Sequence, residues 1–99
     1  MSSKLRQEYL ISYDIEDSKV RKRTFNEFGK YGLKSVQKSV FWGYLTLAEI
    51  NAIKRYLNAG LSETDKLLIT RTNLNSRGQS YLIGHTDQDF CDWDEIYVI

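Results

Sequence analysis

Tyr9-Leu10-Ile11-Ser12-Tyr13-Asp14-Ile15, followed at once by Asp17-Ser18-Lys19-Val20-Arg21-Lys22-Arg23, decides how this chain is read. The first run is an apolar strand that ends on a carboxylate. The second opens a helix, with Asp17 as its N-cap and four cations in its first turns. A strand end is held rigidly, so Asp14 is presented at a fixed point beside a cluster of Lys and Arg. That pairing suits metal-assisted chemistry on a phosphodiester backbone: the carboxylate holds a divalent ion and the cations hold phosphates.

Outward from this stretch the chain alternates strand and helix. The first strand is predicted over residues 8–15. Val20, Thr24, Phe28 and Tyr31 recur at helical spacing and face the sheet, with Phe25 beside them, and Gly32 ends the helix. Residues 35–45, Ser-Val-Gln-Lys-Ser-Val-Phe-Trp-Gly-Tyr-Leu, are rich in β-branched and aromatic side chains. They read as two short strands around a bend or as one bulged strand. Thr46-Leu47-Ala48-Glu49 is a capping box that starts a second helix, whose apolar stripe is Ile50, Ile53 and Leu57 and whose end is Gly60. A strand over 66–71 follows. Its triplet Leu67-Leu68-Ile69 is either buried on both faces or covered on one by another chain. Residues 80–84 and 95–99 are two further strand candidates, joined by an acidic loop.

The order β-α-β-β-α-β, with two helices on one face of an antiparallel sheet, predicts an α+β, ferredoxin-like fold. Residues 1–99 form one domain, with a core of about 8–72 and a carboxy-terminal extension, 73–99, for dimer or partner contacts. The last strand is apolar on both faces, since Ile96 and Val98 alternate with Tyr97 and Ile99. It is expected to pair with an exposed edge, its own or that of a second copy in a homodimer.

Composition removes several classes. There is no run of 18 or more apolar residues, so no membrane helix is expected. The amino terminus lacks an apolar signal core, which predicts a cytoplasmic protein. One Cys and one His cannot make a disulfide or a zinc site. The net charge of +1 hides an asymmetry: residues 1–60 carry 11 Lys/Arg against 6 Asp/Glu, net +5, and residues 61–99 carry 3 against 7, net −4. The amino-terminal part therefore suits a polyanion, and the tail, with Asp87, Asp89, Asp92, Asp94 and Glu95, suits protein or solvent.

The run ending Tyr13-Asp14-Ile15, the helix ending Lys30-Tyr31-Gly32-Leu33, and Val36-Gln37-Lys38-Ser39-Val40-Phe41-Trp42-Gly43-Tyr44-Leu45 resemble the CRISPR-associated protein 2 family over roughly residues 8–72. The resemblance implies a homodimer of ferredoxin-like subunits that bridges the CRISPR-associated protein 1 integrase during spacer acquisition. It also implies metal-dependent endonuclease activity on single-stranded RNA or double-stranded DNA. The family's metal-binding aspartate falls on Asp14, its helix arginines on Arg21 and Arg23, and its functional phenylalanine on Phe41. Where a further arginine is usual, this chain has Ser35, with Lys34 beside it as a substitute.

Asp14 alone cannot hold Mg²⁺ or Mn²⁺ tightly, but a two-fold axis would bring a second Asp14 to the same ion, with waters and a phosphate oxygen completing the shell. As the alternative, Asp14 caps its own turn or the first helix. Lys19, Arg21, Lys22 and Arg23 point to different sides of the helix, so only some can meet one ligand; Arg21 and Arg23 are the choice. Lys38, between core-facing neighbours, is expected on the sheet's other side, adding to that surface. Phe41 and Trp42 point to opposite faces: one fills the core and the other, like Tyr97 and Val98, serves an interface or a ligand. His85 is read as structural or incidental, and Cys91 as a buried or half-buried thiol without chemistry. Two functions stand side by side, a phosphodiester hydrolase and an architectural adaptor that tracks DNA phosphates and docks the integrase. A toxin-type ribonuclease is the third.

Overall fold

The structure, a computed structural model, describes residues 5–74, 79–86 and 89–90. Six elements run in the order β1 (Gln7–Asp14), α1 (Ser18–Lys30), β2 (Lys34–Gln37), β3 (Val40–Leu45), α2 (Leu47–Gly60) and β4 (Lys66–Arg71). All neighbours pair antiparallel, and the sheet order β2-β3-β1-β4 is the ferredoxin-like arrangement predicted from the sequence.

Local chemistry explains where the helices begin. The Asp17 carboxylate accepts from the backbone N–H groups of Lys19 and Val20 at 2.8 and 3.0 Å, satisfying donors that α1 leaves free at its start. At α2 the capping box closes in both directions: Glu49 N–H donates to Thr46 Oγ1 and Thr46 N–H donates to Glu49 Oε1. Gly32, at φ +78°, takes the left-handed conformation that turns the chain from α1 into β2.

The core lies between the helices and one sheet face. Ile11, Tyr13, Phe41 and Leu45 from the sheet meet Phe28 of α1 and Ile50, Ile53 and Leu57 of α2. Phe41 is its aromatic centre, with the rings of Phe25, Phe28 and Tyr13 at 5.0, 5.2 and 6.2 Å. Gly43 is the point of closest approach. A Cβ there would stand 2.8 Å from Leu33 Cδ2 and 3.3 Å from the Leu33 Cα. Because one of those atoms is backbone, Gly43→Ala is expected to destabilise by about 1–3 kcal/mol, measurable as a lower urea midpoint.

Several expectations are corrected. Residues 34–45 are two strands around the tight turn Lys38–Ser39, as the first of the two readings had it, and a bulge separates Ser35 from Gln37. Lys38 is therefore in the turn and not on a strand face. Ser39 reverses the chain at φ 65° without a glycine, and its carbonyl accepts from Tyr13 N–H at 3.0 Å. Residues 80–84 form no strand. The other tail strand, 95–99, with Tyr97 and Val98, lies outside the described residues, as do Cys91 and most of the acidic loop. Phe41 and Trp42 do point to opposite faces, yet both are buried, at 2% and 1% exposure, so neither is presented to a partner or a base.

Trp42 is enclosed by a second, smaller packing layer. Its indole Nε1–H donates to the Glu8 carboxylate at 2.9 Å, and the Phe90 ring stands 5.3 Å away. The tail is held there by His85. Its ring nitrogens contact Asp89 Oδ2 at 3.0 Å and Gln37 Oε1 at 3.1 Å, and its ring packs 5.0 Å from Phe90. The β1–β4 half of this face is less covered: Leu10 is half-buried and Leu68 is 59% exposed on the edge strand. Of the two readings of the 67–69 triplet, the one with an exposed side holds.

Candidate nucleic-acid interface and acidic site

Asp14 ends β1 on the sheet face away from the helices, opposite Lys66 in the β4 register. It is exposed, and it lines a shallow cavity of about 210 Å³ with Ser12, Leu67 and Leu68. Among the described residues it forms no hydrogen bond or ion pair. The capping role considered for it belongs to Asp17 instead. A carboxylate without a protein partner keeps all its lone pairs for a ligand.

Two side chains hold the loop that follows. Arg21 reaches back from α1 and donates Nη1–H to the Ile15 carbonyl at 2.9 Å. From the turn before β4, Asp65 Oδ1 accepts from the Glu16 N–H at 3.2 Å, and its Oδ2 accepts from Ser62 N–H at 3.0 Å. The clamp fixes the strand end that carries Asp14.

Sequence reading missed Asp65, although a Ser-x-x-Asp spacing at Ser62–Asp65 resembles a local cap and was the available signal. Its N–H donors, Ser62 first, hold the Asp65 carboxyl below its ordinary value. A depressed folded-state value stabilises the fold above the unfolded-state value of 3.8 and loses that contribution as pH falls through the lower, folded-state value. Asp65→Asn is therefore expected to make acid unfolding less steep below pH 3.8, followed by circular dichroism against pH.

The cations divide between sites. Arg21, Lys22 and Lys38 line one cleft of about 330 Å³ with Tyr13, Phe25 and Ser39. Because Ser39 pairs back onto Tyr13, this cleft opens at the same end of the sheet as Asp14. Burial holds the Tyr13 hydroxyl above its ordinary value, against the opposing pull of Arg21 and Ser39, so it stays a hydrogen-bond donor at neutral pH. Arg23 is not in this cleft but lines the groove between the helices with Tyr56 and Leu61, and Lys19 is simply exposed. Lys34 cannot stand in for the missing arginine. Ser35 pairs with Phe41 and lines the cleft, whereas Lys34 pairs with Trp42 and so faces the opposite side. Lys38, in the turn, supplies the positive charge there.

One chain does not make a metal cage: among the described residues no group of three or more His, Cys, Asp and Glu stands together. Magnesium, however, is commonly bound through one or two carboxylates plus waters and substrate phosphates, so an Asp14 that is unpaired among the described residues fits a shared site. No described helix is long and apolar enough to cross a membrane.

The chain is similar to several known proteins. The family model described as "CRISPR associated protein Cas2" matches residues 7–79. The chain is 53% identical over 91 residues, 92% of its length and 94% of the relative's, to "CRISPR-associated endoribonuclease Cas2 1" of Francisella tularensis subsp. novicida (strain U112). Among solved structures, a hypothetical protein from Thermus thermophilus superposes with a TM-score of 0.67 at 28% identity, covering 81% of this chain and 93% of that one. A further structure, described as "cas2", superposes at 0.61 with 26% identity, covering 67% and 74%.

Proposed function

Because the chain belongs to the CRISPR associated protein Cas2 family, we propose that it is a homodimeric, metal-dependent endoribonuclease whose centre is built from the Asp14 of each subunit. The observation that carries this reading is the exposed Asp14, unpartnered among the described residues, on the same uncovered half-face as Leu10 and Leu68. An apolar patch of that kind on an edge strand favours a second copy, and a two-fold axis through it sets two Asp14 carboxylates toward each other. The pair would hold Mg²⁺ or Mn²⁺. Bound there, the ion would polarise the scissile phosphoryl group and make water more acidic.

The protein's own residues have three tasks. Asp14 carries the negative charge that attracts the ion. Arg21 and Asp65 fix the backbone that follows that carboxylate, gripping the carbonyl and the N–H of the Ile15–Glu16 peptide, so that little reorganisation is needed when substrate arrives. Arg21, Lys22 and Lys38 hold backbone phosphates without reading bases, which positions the strand but gives no sequence preference.

Cleavage of labelled single-stranded RNA, with velocity sedimentation of the same sample, tests the reading. Activity that appears with Mg²⁺ or Mn²⁺, vanishes in EDTA and belongs to a dimer supports it. Activity undiminished by EDTA, or confined to a monomer, refutes it.

An adaptor role in spacer acquisition, bridging the CRISPR-associated protein 1 integrase, is favoured by a separate feature. Tyr81, Leu82 and Ile83 form an exposed apolar run, with Ile83 91% exposed, on a tail that is docked to the sheet through His85. Ile83→Asp is expected to weaken integrase association at least about tenfold, as loss of an interface anchor does, and to leave RNA cleavage unchanged. Isothermal titration against the integrase, beside a cleavage assay, checks both.

A further inference from the structure

Phe25 is out of place on its helix face. Sequence periodicity sets it beside the core stripe, yet it stands 45% exposed, one turn from Arg21 and in the lining of the cleft. A single exposed aromatic is ordinary. This one is braced: its ring meets Phe41 at 5.0 Å and 65°, edge to face, which stops it from swinging away. It also lines the cleft that holds Arg21, Lys22 and Lys38, with the hydroxyls of Ser18 and Ser39. Among the described residues Arg21 commits only Nη1 to backbone carbonyls, leaving the remainder of its planar fork for an anion.

We propose that this cleft binds one unpaired nucleotide of a single-stranded RNA, with the base stacked on Phe25 and its phosphate held by Arg21, Lys22 and Lys38. The inference rests on the nucleic-acid reading above and deepens it by naming the side chain that favours an unpaired base. Size agrees, since about 330 Å³ lies at the small end of the roughly 300–1,000 Å³ range of ligand pockets and takes one nucleotide rather than a duplex. Stacking supplies the selectivity. An unpaired base has a free π-face, whereas bases in a duplex already stack on their neighbours. The cations alone would bind any phosphate backbone; the ring adds affinity only where a base can leave the stack. The Tyr13 hydroxyl and Ser39 sit at the same wall and can receive the sugar.

The test uses the full chain, a short single-stranded RNA carrying 2-aminopurine, and the matching duplex, at one fixed ionic strength. Phe25→Ala and Phe25→Leu are expected to weaken single-strand binding by about 5- to 100-fold, the range for loss of one base–aromatic stack. Duplex binding should change less than twofold, and Phe25→Trp should restore single-strand affinity and quench 2-aminopurine fluorescence. Phe25→Leu keeps apolar cover over Phe41, so thermal midpoints separate loss of the ring from loss of the fold. Equal weakening for both nucleic acids, or wild-type affinity in Phe25→Leu, overturns the proposal while leaving the phosphate-binding surface in place. Absence of any RNA binding by the wild-type chain overturns both.

Discussion

Asp14→Asn is expected to reduce RNA cleavage by about 10²–10⁴-fold, the contribution of a charged group acting directly at the reacting centre. The side chain keeps its shape and loses its charge. As Asp14 is exposed and forms no hydrogen bond or ion pair among the described residues, the thermal midpoint should stay within about 4 °C of the wild type. A rate that survives the substitution would remove Asp14 from the chemistry altogether. The companion variant Asp14→Ala separates the two proposed functions. If cleavage disappears while spacer integration persists, the protein acts as an adaptor in that pathway and its nuclease activity is separate. If both disappear, the carboxylate serves assembly as well.

The largest effect on stability is expected at Glu8, a buried carboxylate on the face opposite the helices. Its Oε2 accepts three hydrogen bonds, from Trp42 Nε1 at 2.9 Å, Thr72 Oγ1 at 2.8 Å and Leu74 N–H at 2.9 Å. Those donors come from β3 and from the chain just beyond β4, so Glu8 ties together the strand exit and the second packing layer. Glu8→Ala would leave the donors unsatisfied in a dry site and is expected to destabilise by about 3–5 kcal/mol. Against a total of roughly 5–15 kcal/mol for a small domain, that is enough to leave a large unfolded population on warming. Glu8→Gln, which keeps an acceptor oxygen, should cost markedly less. Urea unfolding of both variants measures the difference, and a cost for Glu8→Ala no greater than that for Glu8→Gln would show that the network contributes little.

The differences between expected and observed placement share a cause. Phe41 and Trp42 were expected to divide between core and surface because neighbours in a strand face opposite ways, and they do face opposite ways. Trp42 is nonetheless buried, because Glu8 and Phe90 close over it from 34 positions earlier and 48 positions later. Lys38 was placed on the sheet's other side because its neighbours read as core-facing; Ser39 turns the chain there without a glycine, with its carbonyl bonded to Tyr13. Arg21 and Arg23 were coupled as phosphate ligands, and two residues of helical rotation sent one to the cleft and the other to the groove between helices.

The sequence by itself determined the order of strands and helices, both helix caps and the exposed carboxylate at the end of β1. Each depends on periodicity or on hydrogen bonds that span three or four residues, and such interactions are written in adjacent letters. Only the tertiary structure decided that Asp65 and Arg21 clamp the loop after Asp14, that Lys38 rather than Lys34 faces the basic cleft, and that Phe25 stands out of the core. Those outcomes come from contacts between segments far apart in the chain and from a one-residue bulge between Ser35 and Gln37. A single-residue shift in a strand exchanges its two faces, and no local pattern records it.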